Sequence, residues 1–462
     1  MIRRPVTRTC TMLLAPLALA GCALGPDYRR PDTLPVPAQY VQTTERLAAA
    51  ANLAWWDLFR DPALQGLVRE ALQNNRDLLI ATARIEEYRA QYGFTRTDQL
   101  PSLSYSAEAA RVDGPFLRPF ERYTVALAAS WEIDLFGRLR RSTEAARADL
   151  LATEEARRGV ALAIVANVAR SYFQLRDLDA RLEIARRTLD GRSESTRLIR
   201  LRLDQGVASE LDVRQAEIEE GAAAGSIPAL ERGIAQVENG INYLLGRPPG
   251  PVPRGPSLVE QELPPEIPAG LPAELLQRRP DLLQAEHQLH AQMARIGVAE
   301  ALRWPTLSLT AAGGTESTEL SDLGKSDTRF FNLAANIFGP LFEFGRNKRR
   351  VEVQRARADE LLLAYEQNVL AALREVEDEL VAVRTYRAER AVRLGQVESS
   401  TAAARLARAR YDTGVSSYLE VLDVERSQFD AELRASEALA NQYASLVSLY
   451  AALGGGWPLD HP

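Results

Sequence analysis

The clearest pattern along the chain is an alternation with a period of two residues. In "RYTVALAASWEIDLFG", Tyr123, Val125, Leu127, Ala129, Trp131, Ile133 and Leu135 fall on one side, and Thr124, Ala126, Ala128, Ser130, Glu132 and Asp134 on the other. Successive side chains of a strand point to opposite faces, so this run predicts a strand with one apolar and one polar face. The run "PSLSYSAEAARV", ended by Gly114-Pro115, predicts another. Later, Leu307, Leu309 and Ala311, and then Phe331, Leu333, Ala335 and Ile337, repeat the alternation. Four strands are expected, over about 102–113, 121–135, 306–318 and 328–338. A different period governs Arg138 to Leu203, 66 residues without proline in which Val168, Tyr172, Leu175, Leu178, Leu182, Ala185 and Leu189 recur at three and four. That seam predicts a single helix, which at ~1.5 Å per residue is roughly 100 Å long. Helical patterns also cover about 76–98 and 208–245, and end to end they nearly match it, so two shorter helices can stack beside one long one.

The pattern is written twice, which comes before any decision on fold. At an offset of 204 residues Asp77 meets Asp281 and Pro101 meets Pro305; at 208, Phe136-Gly137-Arg138 meets Phe344-Gly345-Arg346, Gly206-Val207 meets Gly414-Val415, and Leu245-Gly246 meets Leu453-Gly454. One unit spans 61–245 and the other 273–453, the second with its own long helix from Arg346 to Tyr411 and a return from Ser416. Between them, 246–272 is rich in proline and glycine and is expected to be a connector outside the core; 454–462 is a tail. In each unit the glycine ends a helix before a turn, Gly206 in one and Gly414 in the other.

The first 21 residues combine Arg3, Arg4 and Arg8 with the short apolar run "TMLLAPLALA", the composition of a secretory signal and too short for a span. Its end, "LALAGC", resembles a bacterial lipobox, which implies cleavage before Cys22 and a covalent lipid there; the alternative is ordinary cleavage beside an incidental cysteine. Cys10 leaves with the signal, so no intramolecular disulfide can form. Residue 23 is Ala, not the Asp that holds bacterial lipoproteins at the inner membrane, which favours the outer membrane. A polar, proline-containing tract from Ala23 to about Asn52 follows, and 22–60 is expected to lie extended along the surface. Without the three signal arginines the chain holds 53 Lys+Arg against 62 Asp+Glu, a net charge of −9. An exported acidic chain is no partner for nucleic acid. After Cys22 no run of 18 apolar residues occurs, so any span must be β.

In hydrocarbon a sheet must close on itself, and bacterial barrels start at about eight strands. Four strands therefore require several copies around one barrel. Here the chain resembles the TolC-like outer membrane factors, in particular the NodT-type lipoproteins: the lipobox with "GPDYRRP" after it, "WWDLFRDPALQGLVREAL" at 55–72, both Phe-Gly-Arg landmarks and both glycine turns. The resemblance covers nearly all of the mature chain. It implies an α+β membrane protein, a homotrimer whose four strands per chain make a 12-stranded outer-membrane β-barrel continued by a long periplasmic α-helical barrel. It implies a passive exit duct of a tripartite efflux system, or else of type I secretion, joined through a periplasmic adaptor to an inner-membrane transporter, with no cofactor beyond the lipid.

The resemblance also places the duct's narrow inner end near the second turn, where Leu419 and Asp423 share a helix face and three copies would form an apolar ring and a carboxylate ring as a periplasmic gate. The plainer reading is that Asp423 pairs with Arg426 three residues on. Only the second unit carries this acid, since its counterpart is Gln215. Gly206, Val207, Ser209 and Leu211, with Gly414, Val415, Ser417 and Leu419, resemble adaptor-docking tips; they equally suit the demands of a turn. Trp55, Trp56 and Phe59 are expected to anchor packing and not to bind a ligand. His287 and His290, at i and i+3, lack a third ligand and are expected to be an exposed pair rather than a metal site. "LGKS" at 323–326 has Glu319 where a phosphate loop needs glycine, and falls between strands. No catalytic constellation stands out, so a surface-anchored enzyme is disfavoured, and a periplasmic coiled-coil scaffold lipoprotein leaves the strands unexplained.

Overall fold

The computed structural model describes residues 23–31, 37, 39–41, 55–115, 117–264 and 272–455. Cys22 and the expected signal lie outside the described residues. In chain order the elements are α1 (Pro62–Asn74), α2 (Arg76–Thr97), β1 (Ser102–Gly114), β2 (Leu117–Ile133), α3 (Arg138–Asp204), α4 (Glu210–Leu244), α5 (Pro272–Arg278), α6 (Pro280–Ala301), β3 (Thr306–Ser317), β4 (Arg329–Phe338), α7 (Arg346–Asp412) and α8 (Tyr418–Ala452). The long helices α3 and α7 have 67 residues each, and their returns α4 and α8 have 35 each. The described residues divide into two compact units, one drawn from Met1–Thr33, Arg84–Glu154 and Gln284–Glu366, the other from Leu34–Ala83, Glu155–Leu283 and Gln367–Pro462.

The first unit carries an antiparallel sheet in the order β1-β2-β3-β4. Its register sets Tyr105, Leu127, Gly313 and Phe331 in one row and Leu103, Ala129, Ala311 and Leu333 in the next, all on one face. The other face carries rows such as Ser104, Ala128, Ala312 and Asn332. Expected and observed strands differ at the ends of β2. It begins at Leu117 because β1 supplies a ladder that far, pairing Phe120 with Val112 and Leu117 with Gly114. It stops at Ile133 because the next acidic side chain turns to the helix start: the Arg140 backbone N–H donates to Asp134 Oδ2 at 2.8 Å, and Arg138 forks onto Glu132 at 2.8 and 3.1 Å. The "LGKS" segment lies in the β3–β4 connection, where Lys325 pairs with Asp322 at 2.7 Å.

A strap formed by 23–31 is fixed against this unit. The Leu24 N–H donates to the Phe136 carbonyl at 3.2 Å, and the buried Arg141 guanidinium donates to the Leu24 carbonyl at 3.1 Å and to Asp27 at 2.6 Å. Gly25, at φ +92°, lies where any Cβ would come 2.4 Å from Gly297 Cα, so two glycines permit the contact. Further along, Tyr28 and Arg30 both donate to Glu286. Tyr28 stacks on His290 at 4.5 Å, and His290 Nε2 lies 3.0 Å from Glu144. His290 is therefore part of the strap's seat, and both histidines are half-buried, not the exposed pair expected from spacing.

The second unit holds an aromatic core in which Trp55 stacks on Tyr450 at 5.2 Å and Phe173 on Tyr443 at 4.7 Å, with Phe59 between them and buried. Beside it, the fully buried Asp61 caps α1 by accepting from the Ala63 and Leu64 N–H groups, and also accepts from the Tyr172 hydroxyl at 2.6 Å. The proline-rich stretch after α4 departs from the expectation of a connector outside the core. Val252 and Leu258 are buried in it, and at Gly255 any Cβ would meet the Asp61 carboxylate at 2.4 Å. Tyr40 is buried as well, so the tract after Ala23 is not wholly a surface feature. Helix ends meet as the lengths suggested. Asn75 Nδ2 donates to the Leu244 carbonyl at 2.8 Å where α4 ends and α2 begins, and Arg279 donates to the Ala452 carbonyl at 3.0 Å where α8 ends and α6 begins.

Candidate functional site

The two hairpin tips are built by one device. At Gly206, φ +73°, the Gly206 N–H donates to the Leu203 carbonyl and the Val207 N–H to the Arg202 carbonyl, both at 2.8 Å. At Gly414, φ +75°, the Gly414 N–H reaches the Tyr411 carbonyl and the Val415 N–H the Arg410 carbonyl, both at 2.9 Å. These paired bonds close a helix C-terminus through a left-handed residue, which glycine adopts without steric cost. The returns start differently. Ser209 and Asp212 form a reciprocal capping box, with the Asp212 N–H on Ser209 Oγ at 3.2 Å and the Ser209 N–H on Asp212 Oδ2 at 2.9 Å. Ser417 makes no side-chain cap bond, and Glu420, the residue in Asp212's place, instead pairs with Arg410 across the turn at 3.3 Å.

Between the hairpins a small core gathers Ile199, Val213 and Ala216 with Ala407, Tyr418, Val421 and Leu422. It leaves Val207, Leu211, Val415 and Leu419 exposed at the ends. Asp423, one turn after Leu419, is exposed too, on the side of α8 away from Val421 and Leu422. The Arg426 guanidinium donates to Asp423 Oδ1 at 2.7 Å, so the local ion pair is present in the single chain. The structure thus gathers the residues expected at each tip, with Leu419 and Asp423 on one exposed stripe.

Sequence reasoning missed the ties between hairpins. The Arg202 guanidinium lies over the Tyr411 ring at 4.7 Å and pairs with Asp412 at 3.3 Å. Deeper, Arg408 pairs with Glu425 at 3.3 Å and donates to Ser195 at 3.0 Å, while Arg192 pairs with Glu219 at 3.2 Å and sits over Phe429 at 5.2 Å. Burial pushes the Glu425 carboxyl above its ordinary range, opposed by Arg408 and Arg192. The capping-box spacing Ser-x-x-Asp was a legible signal; the cross-hairpin pairs had none. Among the described residues no helix is long and apolar enough to cross a membrane, and no group of acidic, histidine and cysteine residues could hold a metal.

A sequence model of the outer membrane efflux proteins matches residues 67–247 and, a second time, residues 271–455. Across 463 residues the chain is 38% identical to the solvent efflux pump outer membrane protein SrpC of Pseudomonas putida, covering 97% of this chain and 98% of that one. It is 36% identical over 451 residues to the cation efflux system protein CusC of Escherichia coli O157:H7, covering 96% and 97%. The solved outer-membrane channel OprN superimposes with a TM-score of 0.88 at 34% identity, over 94% of this chain and 100% of that one. Two matched segments in the order of the internal repeat, with an open four-stranded sheet and paired helical hairpins, make this chain a member of the outer membrane efflux protein family.

Proposed function

We propose that three copies of this chain form a passive outer-membrane duct, the exit component of a tripartite efflux system. Each copy lends four strands to one shared barrel, and the helical hairpins continue the wall into the periplasm. The observation that carries this reading is the sheet itself: β1 and β4 are its edges, and the face bearing Leu103, Tyr105, Leu127, Phe331, Leu333 and Ile337 stays exposed in the single chain. A bare apolar face is unstable in water, and bare strand edges are unstable in water and in lipid alike; closure with further copies pairs the edges and leaves the apolar face to the hydrocarbon. The strap supports a lipid at Cys22. Its first described residue, Ala23, lies against Gly137 at the β2–α3 junction.

In this reading Leu419 and Asp423 form the periplasmic gate, with Arg426 restraining the carboxylate, and the exposed tips at Val207, Leu211, Val415 and Leu419 dock a periplasmic adaptor. The inner-membrane transporter supplies the energy, and the duct has no chemistry of its own. Relatives named for solvent and for cation efflux share nearly the whole chain, which fits a conduit whose cargo is chosen elsewhere. Native mass spectrometry of the protein extracted gently from outer membranes tests the assembly. The expected mass is three acylated chains; a monomer that retains its strands would refute it.

A further inference from the structure

The halves of the chain correspond strand for strand, β1 with β3 at an offset of 204 residues and β2 with β4 at 208. Within one chain they join at β2–β3, where Leu127 faces Gly313, Ala129 faces Ala311 and Ile133 faces Leu307. Past the end of that ladder Phe136 stacks on Trp304, with ring centroids 5.2 Å apart and planes 22° from parallel. The corresponding ends, β4 and β1, have no strand partner among the described residues. There the counterpart of Phe136 is Phe344, 90% exposed, and the counterpart of Trp304 is Leu100, 62% exposed. Leu341, Phe342, Leu103 and Tyr105 beside them are bare as well.

We infer that β4 of one copy pairs with β1 of the next in the register dictated by the internal repeat, and that Phe344 of the first copy seats on Leu100 of the second. The inference rests on the shared-barrel reading above. Transposing the β2–β3 ladder by the two offsets sets Ala335 opposite Ala109, Ile337 opposite Ala107, Gly339 opposite Tyr105 and Leu341 opposite Leu103 on the apolar face. On the polar face it sets Ala334 opposite Ala110 and Asn336 opposite Glu108. A slip of one residue would turn the whole apolar row of β4 against the polar row of β1. An independent observation agrees: β4 ends at Phe338, whereas β2 runs on to Ile133, the counterpart of Leu341. Residues 339–341 fall short of strand where their ladder partner is missing, and the seam would extend β4 through them.

Disulfide trapping in the full chain, in outer membranes, tests the register. Directly opposed residues have Cα atoms about 4.5–5.5 Å apart, within the roughly 4.4–6.8 Å that a disulfide bridges, while a shift of two residues opens the pair to about 7–8 Å. Oxidation should convert A110C/A334C into covalent dimers and trimers and leave A110C/N336C and the single variants unlinked. If trimers persist while A110C/N336C links and A110C/A334C does not, or while neither links, the register is wrong and the duct reading stands. A monomeric wild-type chain in the membrane would overturn both. For the seat, Leu100→Trp, which copies the stack inside the chain, should raise the temperature at which the trimer dissociates in detergent, and Phe344→Ala should lower it. No shift with either variant would overturn the seat.

Discussion

Gly414 and Gly206 hold the same left-handed turn, and their neighbours are what distinguish one tip from the other. Gly414→Ala forces a Cβ into that region at a cost of about 1–2 kcal/mol, so amide exchange at Val415 should accelerate by about 5- to 30-fold. Ser209 caps its helix and Ser417 does not. Ser209→Ala should therefore weaken the first turn of α4 by about 1 kcal/mol, whereas Ser417→Ala should leave α8 nearly unchanged; exchange at the first amides of each helix measures the difference. The Asp423–Arg426 pair is exposed and adds only ~0.3–0.5 kcal/mol to its helix, too little to explain an acid at this one position of the repeat by stability alone. Asp423→Asn should instead reduce the preference for cations over anions, read as a smaller reversal potential across a salt gradient. These residues were legible because a glycine turn leaves a local signature. The Arg202–Tyr411 and Arg408–Ser195 contacts were not, since their partners lie about 200 residues apart and no spacing rule joins them.

Among elements, strands and long helices were legible because each obeys one period over many residues, and proline alone misled little. α4 continues through Pro228, where the Ser226 hydroxyl donates to the Ala223 carbonyl. Segments without a period were misjudged. The proline-rich stretch after α4 was expected outside the core, yet it buries Val252 and Leu258, because two isolated apolar residues carry no periodic signal. The strap 23–31 was equally unreadable as a docked element, and His287, which feels its Arg30, brings a pH dependence. Burial lowers the His287 pKa, helped by His290 and Arg30 and only partly opposed by Glu286. The unfolded chain then takes up a proton near the ordinary value of about 6.5 while the folded chain resists it. Stability contributed here is full above that value and falls as the pH drops below it. The thermal midpoint should be lower at pH 5 than at pH 8, and His287→Gln should flatten that slope.

At the scale of the whole molecule, the duplication explains why a chain of 462 residues presents an incomplete sheet. Each half supplies one hairpin of strands and one hairpin of helices, and two halves still leave β1 and β4 bare. That further copies are needed is inferred from the strand count, since four strands cannot close. The number of copies was carried by resemblance alone, and the order in which strands meet required the fold. Single-channel recording with the purified protein in planar lipid bilayers tests the conduit most directly. The account predicts discrete, reproducible conductance steps, small in the wild-type chain and larger in Asp423→Ala, which removes the carboxylate of the proposed gate. Intact trimers inserted in the bilayer that pass no current in either form would contradict it.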